Sequence, residues 1–131
     1  MHATYPDLNG KSVFITGGGS GIGASLTEGL LRQGAKVAFC QRSDASAFCD
    51  AMQAATGNRP LFLPCDIIDI TALRGVIAKA EAAHGPITVL VNNAAVTFLL
   101  PIDSFPEKRF KLMIETQVWG AIDLAQQVIP D

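Results

Sequence analysis

Between Gly17 and Gly23 five of seven residues are glycine, and the stretch "FITGGGSGIGASL" (14–26) leads from an apolar segment into one with helical spacing. Glycines between a strand and a helix let the chain turn tightly and leave backbone N–H groups open to an anion, which the positive end of the helix dipole also attracts. The chemistry implied is the binding of a phosphate. A nucleoside-triphosphate loop would end in Gly-Lys-Ser or Gly-Lys-Thr, and "GGGSGIG" holds no lysine. The spacing also departs from G-x-G-x-x-G, reading Thr16-Gly17-x-x-x-Gly21-x-Gly23. A second polar group, Asn92-Asn93, ends the apolar run "ITVLVNNAA" (87–95), where an open parallel sheet offers its carboxyl edge to ligands.

Other chemistries are disfavoured by residue type and number. Cys40, Cys49 and Cys65 are odd in number and lack a C-x-x-C spacing, so neither a disulfide framework nor a zinc site is expected, and buried thiols in a reducing compartment are. With 49% hydrophobic and 17% charged residues and a net charge of -2, the chain has the balance of a globular protein without a nucleic-acid partner. The start, "MHATYPDLNGK", lacks the pattern of a secretory signal. No apolar run reaches the roughly 18 residues of a membrane span. A cytoplasmic location without membrane contact is the expectation.

The elements that must position these groups follow from apolar periodicity. "SVFIT" (12–16) reads as a buried strand, and from Gly21 the period changes to helical, with Ile22, Leu26 and Leu30 on one face and Gly34 as the stop. "AKVAFCQ" (35–41) is a second strand. "DASAFCDAMQAATG" (44–57) is a helix capped by Ser43 or Asp44 and closed by Gly57. "PLFLPC" (60–65) is a third strand, and residues 69–85 form a helix with Ile70, Leu73, Ile77 and Ala80 on one face. The run at 87–95 is apolar without interruption, as in a parallel strand covered on both faces. Residues 106–131 read as mostly helical with an irregularity near Thr116–Gly120. Strand and helix alternate four times over one unit, residues 1–131, which predicts an α/β fold with a doubly wound parallel sheet.

The pattern Thr16-Gly17-x-x-x-Gly21-x-Gly23, with "NNAA" at 92–95 in strand context, resembles the short-chain dehydrogenase/reductase family, from about Leu8 to the end of the chain. The opening "YPDLNGKSVFITGGGSGIG" is loosely closest to sugar- and polyol-oxidising members. The resemblance implies a Rossmann-like dinucleotide site. Gly17, Ser20, Gly21, Ile22 and Gly23 would wrap the pyrophosphate and adjoining ribose. Asp66 would bind the adenine amino group with Ile67 following through its backbone, against the alternative of an ordinary turn carboxylate. Asn93 and Ala94 would lie near the nicotinamide ribose, while one of Asn92 and Asn93 spends its amide on neighbouring strand backbone. Ala95 stands where the family has glycine.

Cofactor preference turns on the end of the second strand, "FCQRSD". An acid about twenty residues past the glycines would hold a free 2′-hydroxyl and repel a 2′-phosphate. Gln41 takes the acid's place and Arg42 follows, a guanidinium able to pair with a phosphate, which favours NADP over NAD. The alternative is that Arg42 is a solvated loop charge, and Asp44 lies near.

The acid/base of the family, Tyr-x-x-x-Lys, has no counterpart: the single tyrosine, Tyr5, precedes the first strand, and Asn9 stands four residues on. "TQVWG" puts Gln117 where members carry asparagine, with a helix-surface glutamine as the plain alternative. Trp119 reads as core rather than as a cover for the cleft. The expectation is therefore the N-terminal half of an NAD(P)-dependent oxidoreductase, truncated after the helix that follows strand four. Such a chain binds cofactor but is inactive alone. When whole, it would act on a small alcohol or carbonyl substrate and form a homo-oligomer. Left bare, the edge of the fourth strand would favour association. A non-catalytic dinucleotide-binding module and an inactive remnant are the competing readings.

Overall fold

The computed structural model describes residues 3–130. Four parallel strands, β1 (Ser12–Thr16), β2 (Lys36–Gln41), β3 (Leu61–Pro64) and β4 (Val89–Val91), form one sheet in the order β3-β2-β1-β4. The helices are α1 (Gly21–Arg32), α2 (Ser46–Thr56), α3 (Ile70–His84), α4 (Glu107–Ile114) and α5 (Gly120–Val128). After β3 the chain crosses back past β2 and β1 to place β4 on the far side of β1. The order therefore reverses between β1 and β4, and a crevice opens there at the carboxyl ends of the strands.

Alternation along each strand explains why the strands are apolar throughout. In β1, Val13 and Ile15 pack with Val37 and Phe39 of β2 against Leu31 of α1 and Met52 of α2. Phe14, Ala38 and Cys40 face the other way, onto Leu73, Val76, Ile77 and Ala80 of α3 and Leu124 of α5. Both faces of the central strands are thus covered by helices, and period-two patterning disappears. β4 departs from the expectation. Val89, Leu90 and Val91 are each only half-buried, because β4 ends the sheet and pairs on one side alone.

Local chemistry sets the helix ends. Asp69 caps α3, its carboxylate accepting from the N–H of Ala72 at 2.9 Å. At α2 the cap falls on Ala45, with no capping side chain. Asp44 instead accepts from the backbone and hydroxyl of Ser46, at 3.2 and 2.7 Å, making the turn that leads in. Those bonds hold the Asp44 carboxyl below its usual range. The expected irregularity between α4 and α5 is a π-helical turn, Glu115–Trp119. Trp119 is not core: it is 46% exposed, because the widened turn rotates it off the sheet-facing side that Thr116 and Gly120 occupy. α5 is joined to α3 by Arg74 and the buried Asp123, whose two carboxylate oxygens accept from the guanidinium.

Candidate dinucleotide site

The glycine turn leaves β1 at Gly17, whose N–H donates to the carbonyl of Cys40 at 2.7 Å and ties the turn to β2. Thr27 of α1, fully buried, donates its hydroxyl to the Gly18 carbonyl at 2.8 Å and ties it to the helix. Gly23 and Gly21 are required for different reasons. Gly23 lies against the backbone carbonyl of Gly17, so a Cβ there would overlap it. Gly21 has φ +51°, and its missing side chain faces open space. Ser20 stands at the N-cap of α1 in extended conformation and makes no capping bond. No side chain therefore covers the first amides of α1, whose dipole favours an anion.

β4 is fastened to this turn by hydroxyl and amide. Thr16, at the end of β1 and 3% exposed, accepts at Oγ1 from the N–H groups of Asn93 and Ala94, both at 3.0 Å. Asn93 returns the contact, its side-chain amide donating to the carbonyls of Thr16 at 3.0 Å and Gly17 at 3.2 Å. Of the two asparagines, Asn93 is therefore the one whose amide serves the backbone, and Asn92 is exposed. Gln117, on the π-helical turn, donates to the carbonyl of Val96 at 2.8 Å and braces the segment after β4.

A crevice of about 610 Å³ gathers the ends of all four strands. Its wall includes Gly17 and Ser20 from the glycine turn, Gln41 and Arg42 from the end of β2, Asp66 and Ile67 from beyond β3, and Ala94 from beyond β4. Seven expected site residues thus share one cavity. Gly21 and Ile22 stand exposed at the start of α1, outside that wall, and Gly23 is buried beneath the turn. Asn93 lines a smaller adjoining cavity of about 180 Å³, with Thr116 and Gln117.

Two of the charges in the crevice are paired across strands. Arg42, 79% exposed, brings its guanidinium to 3.8 Å from the Asp66 carboxylate. Asp66 also accepts from the N–H of Ile68 at 3.2 Å, so the turn reading of this carboxylate holds alongside any ligand role. Gln41 donates to the carbonyl and hydroxyl of Ser43. Its Oε1, packed against Gly19, is buried with no hydrogen-bond partner among the described residues. Such an acceptor has a cost unless a donor reaches it, and a ribose hydroxyl is a donor of the right kind. Burial pushes the Cys40 thiol up to about 12, with Cys65 beside it adding to the rise. Both thiols line the crevice as neutral groups. Open helix amides, an uncovered turn and an unpartnered acceptor fit a dinucleotide.

Several contributors escaped sequence reasoning. Thr16 stood inside the quoted motif without a role, and its position at a strand end before paired asparagines was the available signal. Phe98, Arg109 and Leu112 also line the crevice, brought in by the segment after β4, whose path no local pattern announces.

Comparison with known proteins agrees with this architecture. The family described as short chain dehydrogenase matches residues 11–131. A probable galactose dehydrogenase of Rhizobium meliloti is 37% identical over 128 residues, which cover 96% of this chain and 50% of the relative. A D-xylose 1-dehydrogenase of Caulobacter vibrioides is 46% identical over 93 residues, 70% of this chain and 36% of the relative. Among solved structures, a short chain dehydrogenase from Burkholderia cenocepacia in complex with NADP superposes with a TM-score of 0.84 at 28% identity, covering 92% of this chain and 50% of the other. The chain spans about half the length, or less, of these relatives. It belongs to the short-chain dehydrogenase family.

Proposed function

We propose that residues 1–131 are the N-terminal part of the dinucleotide-binding domain of an NAD(P)-dependent oxidoreductase that interconverts an alcohol and a carbonyl on a small molecule. The observation that carries this reading is the shared crevice, in which the glycine turn, Gln41-Arg42, Asp66-Ile67 and Ala94 meet at the switch between β1 and β4. The turn and the first amides of α1 take the pyrophosphate. Asp66 takes the adenine end, with Ile67 beside it, and Ala94 and the Asn93 backbone border the nicotinamide ribose. The nicotinamide, when bound, supplies hydride exchange with the substrate carbon.

NADP is the favoured cofactor. Gln41 presents no carboxylate to repel a 2′-phosphate, and the exposed Arg42 lines the same crevice with a guanidinium able to pair with one. The sugar dehydrogenases among the relatives support a sugar or polyol as substrate. No helix among the described residues is long and apolar enough to cross a membrane. Phe110, Ile114, Val118 and Ile122 are exposed at four-residue spacing along α4 and α5, which supports a homo-oligomer. Tyr5 has Asn9, not lysine, four residues on. These 131 residues are therefore expected to bind without turning over, like a dinucleotide-binding module.

Calorimetric titration tests the reading. NADPH is expected to bind more tightly than NADH, and Gly21→Leu to abolish both by filling the space before α1. Absence of heat with either cofactor would support the inactive-remnant reading instead.

A further inference from the structure

Two basic side chains line the crevice, Arg42 and Arg109. Arg42 is shared with Asp66 at 3.8 Å. Arg109, in the first turn of α4, has no carboxylate partner among the described residues. The nearby Glu107 is paired with Lys111 instead. The Arg109 guanidinium carbon sits 4.3 Å from the centroid of the Phe98 ring, on the segment that leaves β4. Stacking on an aromatic face orients the planar group but uses none of its five in-plane donors. A cation held in place, with its hydrogen bonds unspent, in the same crevice as an uncovered glycine turn is arranged for a planar or tetrahedral oxyanion.

We propose that Arg109 is a second phosphate contact for the dinucleotide, held by Phe98 and acting from the segment after β4, as Arg42 acts from the end of β2. This rests on the reading of the crevice as a dinucleotide site. Phe98 is a positioning residue: its ring fixes the direction of the fork. The phosphate is either the pyrophosphate or the 2′-phosphate, groups of the same chemistry that smaller ligands separate.

The test is titration of the unaltered protein and of Arg109→Gln, Arg109→Lys and Phe98→Leu with 5′-ADP, 2′-AMP and adenosine. Arg109→Gln should weaken a phosphate-bearing ligand about 5- to 30-fold, the range for a charge-assisted bond discounted for exposure. Arg109→Lys should recover part of the loss, and Phe98→Leu should show a smaller loss with the same ligand. Loss with 5′-ADP alone identifies the pyrophosphate, and loss with 2′-AMP alone the 2′-phosphate. Unchanged affinity for both phosphates in Arg109→Gln overturns the proposal, and so does an equal loss for adenosine, which would mark a packing role. If the unaltered protein binds none of the three, the dinucleotide reading itself fails and takes this contact with it.

Discussion

Removing the hydroxyl of Thr16 should loosen β4 from the glycine turn. Thr16→Val keeps the shape of the side chain but deletes the oxygen that accepts from the N–H groups of Asn93 and Ala94. Asn93 N–H also reaches the carbonyl of Val91 at 3.1 Å, so the substitution orphans chiefly the Ala94 N–H. An unsatisfied buried donor costs about 1–3 kcal/mol. Because Ala94 is half-buried and water can approach, the lower part of that range, about 1–2 kcal/mol, applies. For a domain of this size the melting temperature should fall by roughly 3–8 °C. Thr16→Ser retains the acceptor and loses one methyl, a stability cost of about 0.8 kcal/mol. Stability alone separates the two variants poorly, and cofactor affinity separates them well. Thr16→Val should weaken NADPH binding by displacing Ala94, and Thr16→Ser should leave it near the parent value. Urea titration for stability and calorimetry for binding read the two effects. A Thr16→Val protein with the parent midpoint and the parent affinity would refute the reasoning.

Other outcomes follow from the same geometry. Gly23→Ala forces a methyl onto the Gly17 carbonyl and should destabilise by about 1–3 kcal/mol, measured by urea midpoint, with loss of dinucleotide binding. Arg42→Ala should weaken NADPH about 5- to 30-fold, after discounting for exposure, with NADH little changed; equal losses would show that Arg42 does not read the 2′-phosphate. Arg74 holds the Asp123 carboxyl below its usual range, so the pair stabilises the fold above the unfolded carboxylate value of about 3.9 and loses that contribution as pH falls through the lower native value. Arg74→Met should be less stable at neutral pH and recover relative to the parent on acidification, seen in urea midpoints across pH. Cys40, Cys49 and Cys65 are buried, with all three thiols pushed up chiefly by burial, and should resist a thiol reagent until the protein unfolds.

The layers of this fold were readable because each signal was local. A β-branched run before Gly17 and the Gly34 and Gly57 stops fix elements from neighbouring residues alone. The end of α2 at Gly57, with φ +78°, is such a case, whereas its start was misplaced because Asp44 spends its carboxylate on a turn. The exposure of Trp119 was not readable, since it depends on a π-helical turn that shifts the helix face. The half-buried state of β4 depends on how many neighbours the strand has: the bare edge was expected, whereas the run "ITVLV" by itself reads as a covered strand. In the site, Gly17 and Asp66 were named through the family resemblance that the glycine motif and "NNAA" carry, and Gln41 through its distance past the glycines at the end of the second strand. The fastening of Asn93 to Thr16 joins residues 77 apart in sequence, and the stacking of Arg109 on Phe98 closes an irregular segment that has no periodic pattern. Only the packed chain brings them together.

Amide chemical-shift mapping with NADPH tests most directly whether the crevice between β1 and β4 is a dinucleotide site. The account predicts saturable shifts at the amides of Gly17 to Gly23, at Asp66 and Ile67, and at Ala94. Absence of shifts, or shifts confined to the outer side of α4 around Lys108 and Lys111, would contradict it.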